Sequence, residues 1–217
     1  MNDGSDMPHR PYTLLPGPGV YQPTPNPEFP LVVTPSFAGL AYMTPFVLRH
    51  HEQFGVEPGE IFDLAGAAYT QEYNEVKQLG DASIRGAHPE SEESDIARFW
   101  PGGGSNWNLT TRMIGEGCCG LPTEAGASAE MLRQFFGTDH VPFVRSFLAP
   151  AVPLPAPLPP KLIAHGFETL SPAVAEAQSA RVYAGIHFRE GCRAGARQGT
   201  QIARFVAQHS LRANKRK

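Results

Sequence analysis

The residues best suited to chemistry lie near the C-terminus, in the segment SARVYAGIHFR that runs from Ser179 to Arg189. Arg181 carries a permanent positive charge on a planar guanidinium, which can bind an oxyanion through two parallel hydrogen bonds. His187 follows six residues later and carries an imidazole, which can transfer a proton or act as a nitrogen ligand. Brought together, these two side chains would suit a site for a small oxyanion.

The spacing of this pair indicates what backbone must connect the two side chains. Six residues is not a same-face helical spacing, which would be three, four or about seven. The two side chains can converge only if a helix ends between them, and Gly185 is the residue suited to ending it. We therefore predict a helix with Arg181 in its last turns, a glycine exit, and His187 at the start of the next segment.

Two helices are predicted around this pair. Ser171 and Pro172 have the types preferred at a helix cap and first position, so the first helix should run from there through Ala184. The second should span about Glu190 to Gln208. It carries small residues four positions apart, and glycine costs a helix roughly 1 kcal/mol per site. We expect another helix to pack closely on this stripe, which consists of Gly191, Gly195, Gly199 and Ala203.

Other elements are predicted upstream. An apolar stripe at three-and-four spacing favours a helix over Ile61 to Leu79, which Gly80 would end. Ser91 or Ser94 should cap a helix that runs into Trp100, and Ala125 to Gly137 should form a helix of small residues. Thr44 to Phe54 can form a short helix or turn.

Proline divides the chain into regions. The sequence has 22 prolines, and those between Met1 and Pro35 predict an extended arm that lies on a surface. Residues 148–160, LAPAVPLPAPLPP, are interpreted as a semi-rigid connector. We expect an arm over 1–60, a helical domain over 61–212 and a basic tail over 213–217.

Composition excludes several classes of protein. A net charge of −3 argues against a general nucleic-acid binder. Three cysteines, two of them adjacent, imply neither a disulfide framework nor a structural zinc site. No apolar run approaches the roughly 18 residues needed to span a membrane, and no signal-peptide pattern is seen. A cytoplasmic protein is the expectation.

The sequence around Arg181 and His187 resembles the third signature motif of the vanadium-dependent haloperoxidases and their phosphatidic acid phosphatase relatives. That motif consists of Ser or Ala, then Arg, then five residues, then His. The strings IARFW, ending at Trp100, and AGASAEMLRQFFG, ending at Gly137, are also similar to that family. The resemblance implies an all-α helical bundle and a vanadate cofactor. It further implies that Arg181 holds an oxygen of vanadate or phosphate, and that His187 is the axial vanadium ligand or the phosphatase nucleophile.

Two signatures of that family are degraded. No lysine occurs between Lys77 and Lys161, and no Arg-Pro follows there, so the first signature is absent. The second, Pro-Ser-Gly-His, falls on Cys118, Cys119, Gly120 and Leu121. Gly120 keeps a backbone amide for the oxyanion, but Leu121 cannot transfer a proton. The two cysteines could act as thiolates in a redox or metal site, or be free cysteines at the start of a buried helix.

These features predict a haloperoxidase-like protein whose activity is weak or lost. That activity would be peroxide-driven halide oxidation or phosphate-ester hydrolysis. Its partners would be a small oxyanion, peroxide and a halide, without nucleic acid or a membrane span. A partner subunit, as in a homodimer, could complete the pocket. The alternative is a non-catalytic helical scaffold or interaction protein. A third hypothesis is a remnant whose missing central helices leave apolar faces uncovered.

Overall fold

The computed structural model describes residues 44–50, 52–55, 63–100, 120–149 and 159–210, and within them the chain is mostly helical. The prediction of an all-α fold was wrong in one respect, because two strands form a small antiparallel sheet. Most of the predicted arm, the tail and the middle of the proline-rich connector lie outside the described residues. In chain order the elements are α1 Ala67–Gly80, α2 Ala82–Ala87, α3 Glu92–Phe99, α4 Gly120–Phe136, β1 Phe143–Ala149, β2 Lys161–Phe167, α5 Leu170–Tyr183 and α6 Arg189–His209.

The first helices follow local sequence signals. α3 is capped by Ser91, whose side chain accepts a hydrogen bond from the Ser94 backbone, and three acidic residues in its first turn favour the helix dipole. α1 ends at Gly80 as predicted but begins later than Ile61. The reason is a turn at Asp63, whose backbone oxygen and carboxylate accept hydrogen bonds from Gly66 and Ala65.

α4 and α6 cross with their backbones in direct contact, which confirms the prediction from the glycine stripe. A Cβ built on Gly199 would lie 1.9 Å from the Thr123 carbonyl oxygen, and one built on Gly126 would lie 2.3 Å from the Ala196 carbonyl oxygen. No larger residue could occupy either position without moving a helix. The stripe residues Gly191, Gly195, Gly199 and Ala203 are all buried.

α5 runs antiparallel to α4. Its first residue, Leu170, donates its backbone N–H to the Asp139 carbonyl just beyond the end of α4. Arg133, in the last turn of α4, donates to the Ser171 hydroxyl at 2.9 Å. The prediction that Ser171 caps α5 was therefore wrong: the N-cap is Thr169, without a side-chain hydrogen bond, and Ser171 instead serves as an acceptor for Arg133.

The hairpin of β1 and β2 was not predicted. The strands pair antiparallel, with Val144 opposite Gly166 and Leu148 opposite Leu162. Leu148 and Ala149 therefore belong to β1 and not to the connector. The inner face packs Ala149 and Ile163 against Phe99 at the end of α3, and this cluster is fully or almost fully buried.

The core lies where α1, α5 and the start of α6 meet, at Val76, Val182 and Phe188. Residues 52–54 form a turn, as the sequence allowed, and the Phe54 ring packs edge-on against Phe205 of α6 with centroids 5.6 Å apart. Within the described ranges, every helix is too short or too polar to traverse a lipid bilayer.

Candidate functional site

The corner between α5 and α6 has the predicted form. α5 ends at Tyr183, Gly185 adopts a left-handed φ of 72°, and α6 begins at Arg189. The Gly185 N–H donates to the Val182 carbonyl, and the Ile186 N–H donates to the Arg181 carbonyl at 3.1 Å. These two bonds close the end of α5 and turn the chain so that His187 precedes the N-cap residue of α6, Phe188.

Arg181 is distinguished by its lack of acceptors. Its Nε is buried without a hydrogen-bond partner, and among the described residues its guanidinium forms no ion pair. Arg85 and Arg98 also have an unpartnered buried Nε. Their other nitrogens are engaged, however: Arg85 pairs with Glu93 at 3.6 Å and Arg98 donates to the Pro159 carbonyl at 2.7 Å. Among the described residues Arg145 is also half-buried without a carboxylate partner, but its guanidinium lies over the Phe99 ring, 5.0 Å from the centroid. In the described part of the chain, Arg181 is thus a half-buried cation with neither a protein anion nor an aromatic ring against it.

The directions of α4, α5 and α6 place one end of each helix at the same end of the bundle. Because α5 is antiparallel to α4, its last turn, with Arg181, lies at the end of the bundle where α4 begins at Gly120. α6 starts at the same end and runs parallel to α4. Gly126 meets Ala196 in the first half of both helices, and Glu130 pairs with Arg204 at 2.8 Å further along. The fold thus brings Arg181, His187 and the first turn of α4 to one end of the bundle.

His187 is half-buried, and Phe188 beside it is completely buried against Tyr69 of α1 with ring centroids 5.3 Å apart. This aromatic contact fixes the first turn of α6 and with it the backbone of His187. The imidazole is therefore held by a packed segment and does not lie on a free loop.

Other candidate residues lie elsewhere. Cys118 and Cys119 are outside the described residues, and Leu121 is half-buried in the first turn of α4.

His140 is exposed beyond the opposite end of α4, and His165 stacks on Phe99 and pairs through Nδ1 with Glu176 at 2.5 Å. Neither histidine lies at the corner with Arg181 and His187. In the described ranges, no three His, Cys, Asp or Glu side chains are grouped to hold a metal ion.

One charged feature of the structure, separate from this corner, was not predicted from the sequence. Four arginines line a cleft along α4, α5 and α6, and three of them share one face of α6 at positions 193, 197 and 204. The spacing of these three residues, four and then seven, is a helical same-face pattern that could have indicated a cationic groove. The partner helices that form the other wall could not be read from that pattern.

Comparison with known proteins agrees with this architecture. A family model described as the VCPO second helical-bundle domain matches residues 103–216, which is more than half of the chain. The crystal structure of a bacterial vanadium-dependent iodoperoxidase is similar, with a TM-score of 0.61 and 19% sequence identity. The alignment covers 88% of this chain and 60% of that protein, and at this identity it shows the fold. No curated protein matches the chain.

Proposed function

Because this chain belongs to the family of the VCPO second helical-bundle domain, we propose that it binds a tetrahedral oxyanion, vanadate or phosphate, at the α5–α6 corner. Arg181 would hold an oxygen of the anion through its guanidinium. His187 would be a nitrogen ligand of vanadium or, with phosphate esters, the nucleophile. Gly120 would offer a backbone amide from the first turn of α4.

The observation that carries this proposal is the buried Nε of Arg181, which has no hydrogen-bond partner. A buried donor without an acceptor costs about 1–3 kcal/mol, more when it is charged. The fold holds such a group between packed helices at the end of α5, beside the segment that carries His187. A bound oxyanion would supply the missing acceptor and neutralise the charge, which is the role that a guanidinium performs well because its donors are fixed in a fork.

The residues at this end of the bundle fit an oxyanion. Both α4 and α6 begin at this end of the bundle, where the positive ends of their helix dipoles favour an anion, although the Glu190 N–H in the first turn of α6 already donates to the Glu72 carboxylate at 3.1 Å. An imidazole nitrogen is a suitable ligand for an electron-poor centre such as vanadium. When bound, vanadate would activate peroxide for halide oxidation, and the protein's part would be to hold and orient the anion.

The activity is expected to be weak or lost. The family site uses three cations and an acid–base histidine, whereas Leu121 stands at the position that matches that histidine and can neither give nor take a proton. Loss of one donor to a developing charge costs on the order of a hundredfold in rate. A non-catalytic scaffold is the second candidate, and the observation that favours it is Leu121 in the first turn of α4.

Thermal unfolding with and without orthovanadate tests the proposal. A ligand at about one hundred times its dissociation constant adds roughly 2.7 kcal/mol, which is several degrees for a protein of this size. We expect a rise in Tm that vanishes in His187→Ala and persists in His140→Ala, a matched change at an exposed histidine. A cooperative transition with the same Tm in the presence of vanadate would refute oxyanion binding and leave the scaffold as the remaining function.

A further inference from the structure

A cleft of about 450 Å³ runs along the groove between α5 and α6 and reaches the last turn of α4. Its charged lining consists of Arg133, Arg193, Arg197 and Arg204, and Gln178 and Thr200 are among its neutral polar residues. From Arg193 to Arg204 the groove follows α6 for about 16 Å, at 1.5 Å per residue. The volume lies in the range of small-molecule sites, about 300–1,000 Å³.

The charges of this cleft do not balance. Arg193 and Arg197 share one carboxylate, that of Glu190, at 3.7 and 2.7 Å. Arg133 and Arg204 share a second, that of Glu130, at 3.7 and 2.8 Å. Asp139 is the third carboxylate paired with these arginines, through Arg133. Among the residues that the structure describes, four guanidinium groups therefore meet three carboxylates, and the surplus charge is positive.

The arginines on α6 are able to bind an incoming anion. Arg193, Arg197 and Arg204 have side chains that are 55%, 61% and 60% exposed. Exposed ion pairs are worth only about 0–1 kcal/mol, so an anion of higher charge can replace them. The Arg193 pair is longer than a hydrogen bond, which leaves that fork without a close acceptor among the described residues.

We propose that this cleft binds a small phosphorylated molecule, a phosphate monoester or a diphosphate. Guanidinium forks match phosphate oxygens in pairs, and several forks on one helix face can divide the charges of such a ligand. The Gln178 side chain on the α5 wall adds neutral donors for its uncharged part.

The cleft is separate from the corner that carries Arg181 and His187. It extends away from that corner, because Ser171 at the start of α5 and Arg133 in the last turn of α4 line its far part. Neither Arg181 nor His187 is among its lining residues. The inference therefore stands independently of the vanadate proposal, and the two can be tested apart.

Isothermal titration with inorganic pyrophosphate tests the cleft. We expect saturable binding to the full chain that weakens about tenfold in Arg193→Gln and in Arg197→Gln, since each removes one charge-assisted pair. Arg49→Gln, at an exposed arginine outside the cleft, should bind like the unsubstituted chain, and Arg181→Gln should retain the binding that depends on Arg193 and Arg197.

Three results would overturn the proposal: no binding up to millimolar pyrophosphate, equal affinity in both α6 variants, or binding that is lost in Arg181→Gln. Citrate serves as a carboxylate probe, and tight binding of citrate without pyrophosphate would refute the phosphate class. Because both substituted side chains are more than half exposed, the variants should unfold cooperatively like the unsubstituted chain.

Discussion

Gly80, the last residue of α1, lies directly against Gly185 in the corner between α5 and α6. A Cβ built on Gly80 would be 2.4 Å from the Gly185 Cα and 2.4 Å from the Val182 carbonyl oxygen. The corner that carries Arg181 and His187 therefore rests on the backbone of α1. Since all the contacting atoms are backbone atoms, the position of the corner is coupled to α1 without an intervening side chain.

The first prediction concerns this contact. Gly80→Ala should destabilise the fold by about 1–3 kcal/mol, because backbone atoms cannot move aside as a side-chain end can. Urea unfolding measures the loss. Gly166→Ala is the control, since its Cβ would be 3.7 Å from Val144 Cγ2, an ordinary contact. Equal stability changes in the two variants would show that α1 does not pack on the corner as described.

The second prediction follows from the buried Nε of Arg181, which has no hydrogen-bond partner. Without ligand, Arg181→Met should raise the free energy of unfolding by about 1 kcal/mol, because a buried charged donor without an acceptor is replaced by an apolar chain of similar length. Arg98→Met is the matched control. Arg98 is 7% exposed and its guanidinium donates to the Pro159 carbonyl, so its loss should destabilise. Destabilisation of similar size in both variants would mean that Arg181 has an acceptor.

The ion pair between Glu130 of α4 and Arg204 of α6 predicts that the stability of the fold depends on pH. The hydrogen bond from Arg204 holds the pKa of the Glu130 carboxyl below its usual 4.5, against the opposing effect of burial. A carboxyl whose pKa is lowered in the folded state stabilises the fold above the unfolded pKa, and this stability is lost as the pH falls through the folded pKa.

Glu130→Gln should therefore cost about 1 kcal/mol at about pH 7, and the cost should shrink at about pH 3, which lies below the usual carboxyl pKa of 4.5, so that the stability due to the lowered pKa is being lost. Urea unfolding at both pH values measures the difference. Glu168→Gln, at an exposed glutamate, provides the control and should change little at either pH. A cost for Glu130→Gln that is the same at both pH values would contradict the assignment.

Glu176 joins three elements, and this gives a further prediction. Its Oε1 accepts a hydrogen bond from Trp100 Nε1 at 2.7 Å and pairs with His165 Nδ1 at 2.5 Å. Glu176→Ala should cost about 1–3 kcal/mol, because two partly buried donors lose their acceptor. Hydrogen exchange should show faster opening of β2 in this variant than in Glu168→Ala. Unchanged exchange in β2 would mean that the hairpin is held by its apolar face alone.

The sequence predicted those parts of the fold that depend on local rules. The serine cap of α3, the end of α1 at Gly80 and the glycine exit at Gly185 each follow from one residue type at one position. The glycine stripe of α6 also predicted a close helix partner, though not that the partner is α4.

The hairpin could not be predicted in the same way. In β1 and β2 apolar residues occupy both faces, with Leu148 and Leu162 exposed at 63% and 68%, so the alternation expected of a half-buried strand is hidden. Pro150, two residues after Leu148, favoured a connector instead. The lack of an acceptor for Arg181 Nε could not be predicted either. It depends on which helices surround Arg181 and not on the neighbours of Arg181 in the sequence.

The most direct test of the central claim is equilibrium dialysis of orthovanadate against the full chain and against Arg181→Gln. Oxyanion binding at the corner predicts a saturable vanadate site on each chain. It also predicts an affinity at least about tenfold lower in the variant, because one charge-assisted pair is lost while the fold is retained. Arg49→Gln should bind vanadate with unchanged affinity. Absence of saturable binding to the unsubstituted chain, or equal affinity in Arg181→Gln, would contradict the assignment of the oxyanion to Arg181.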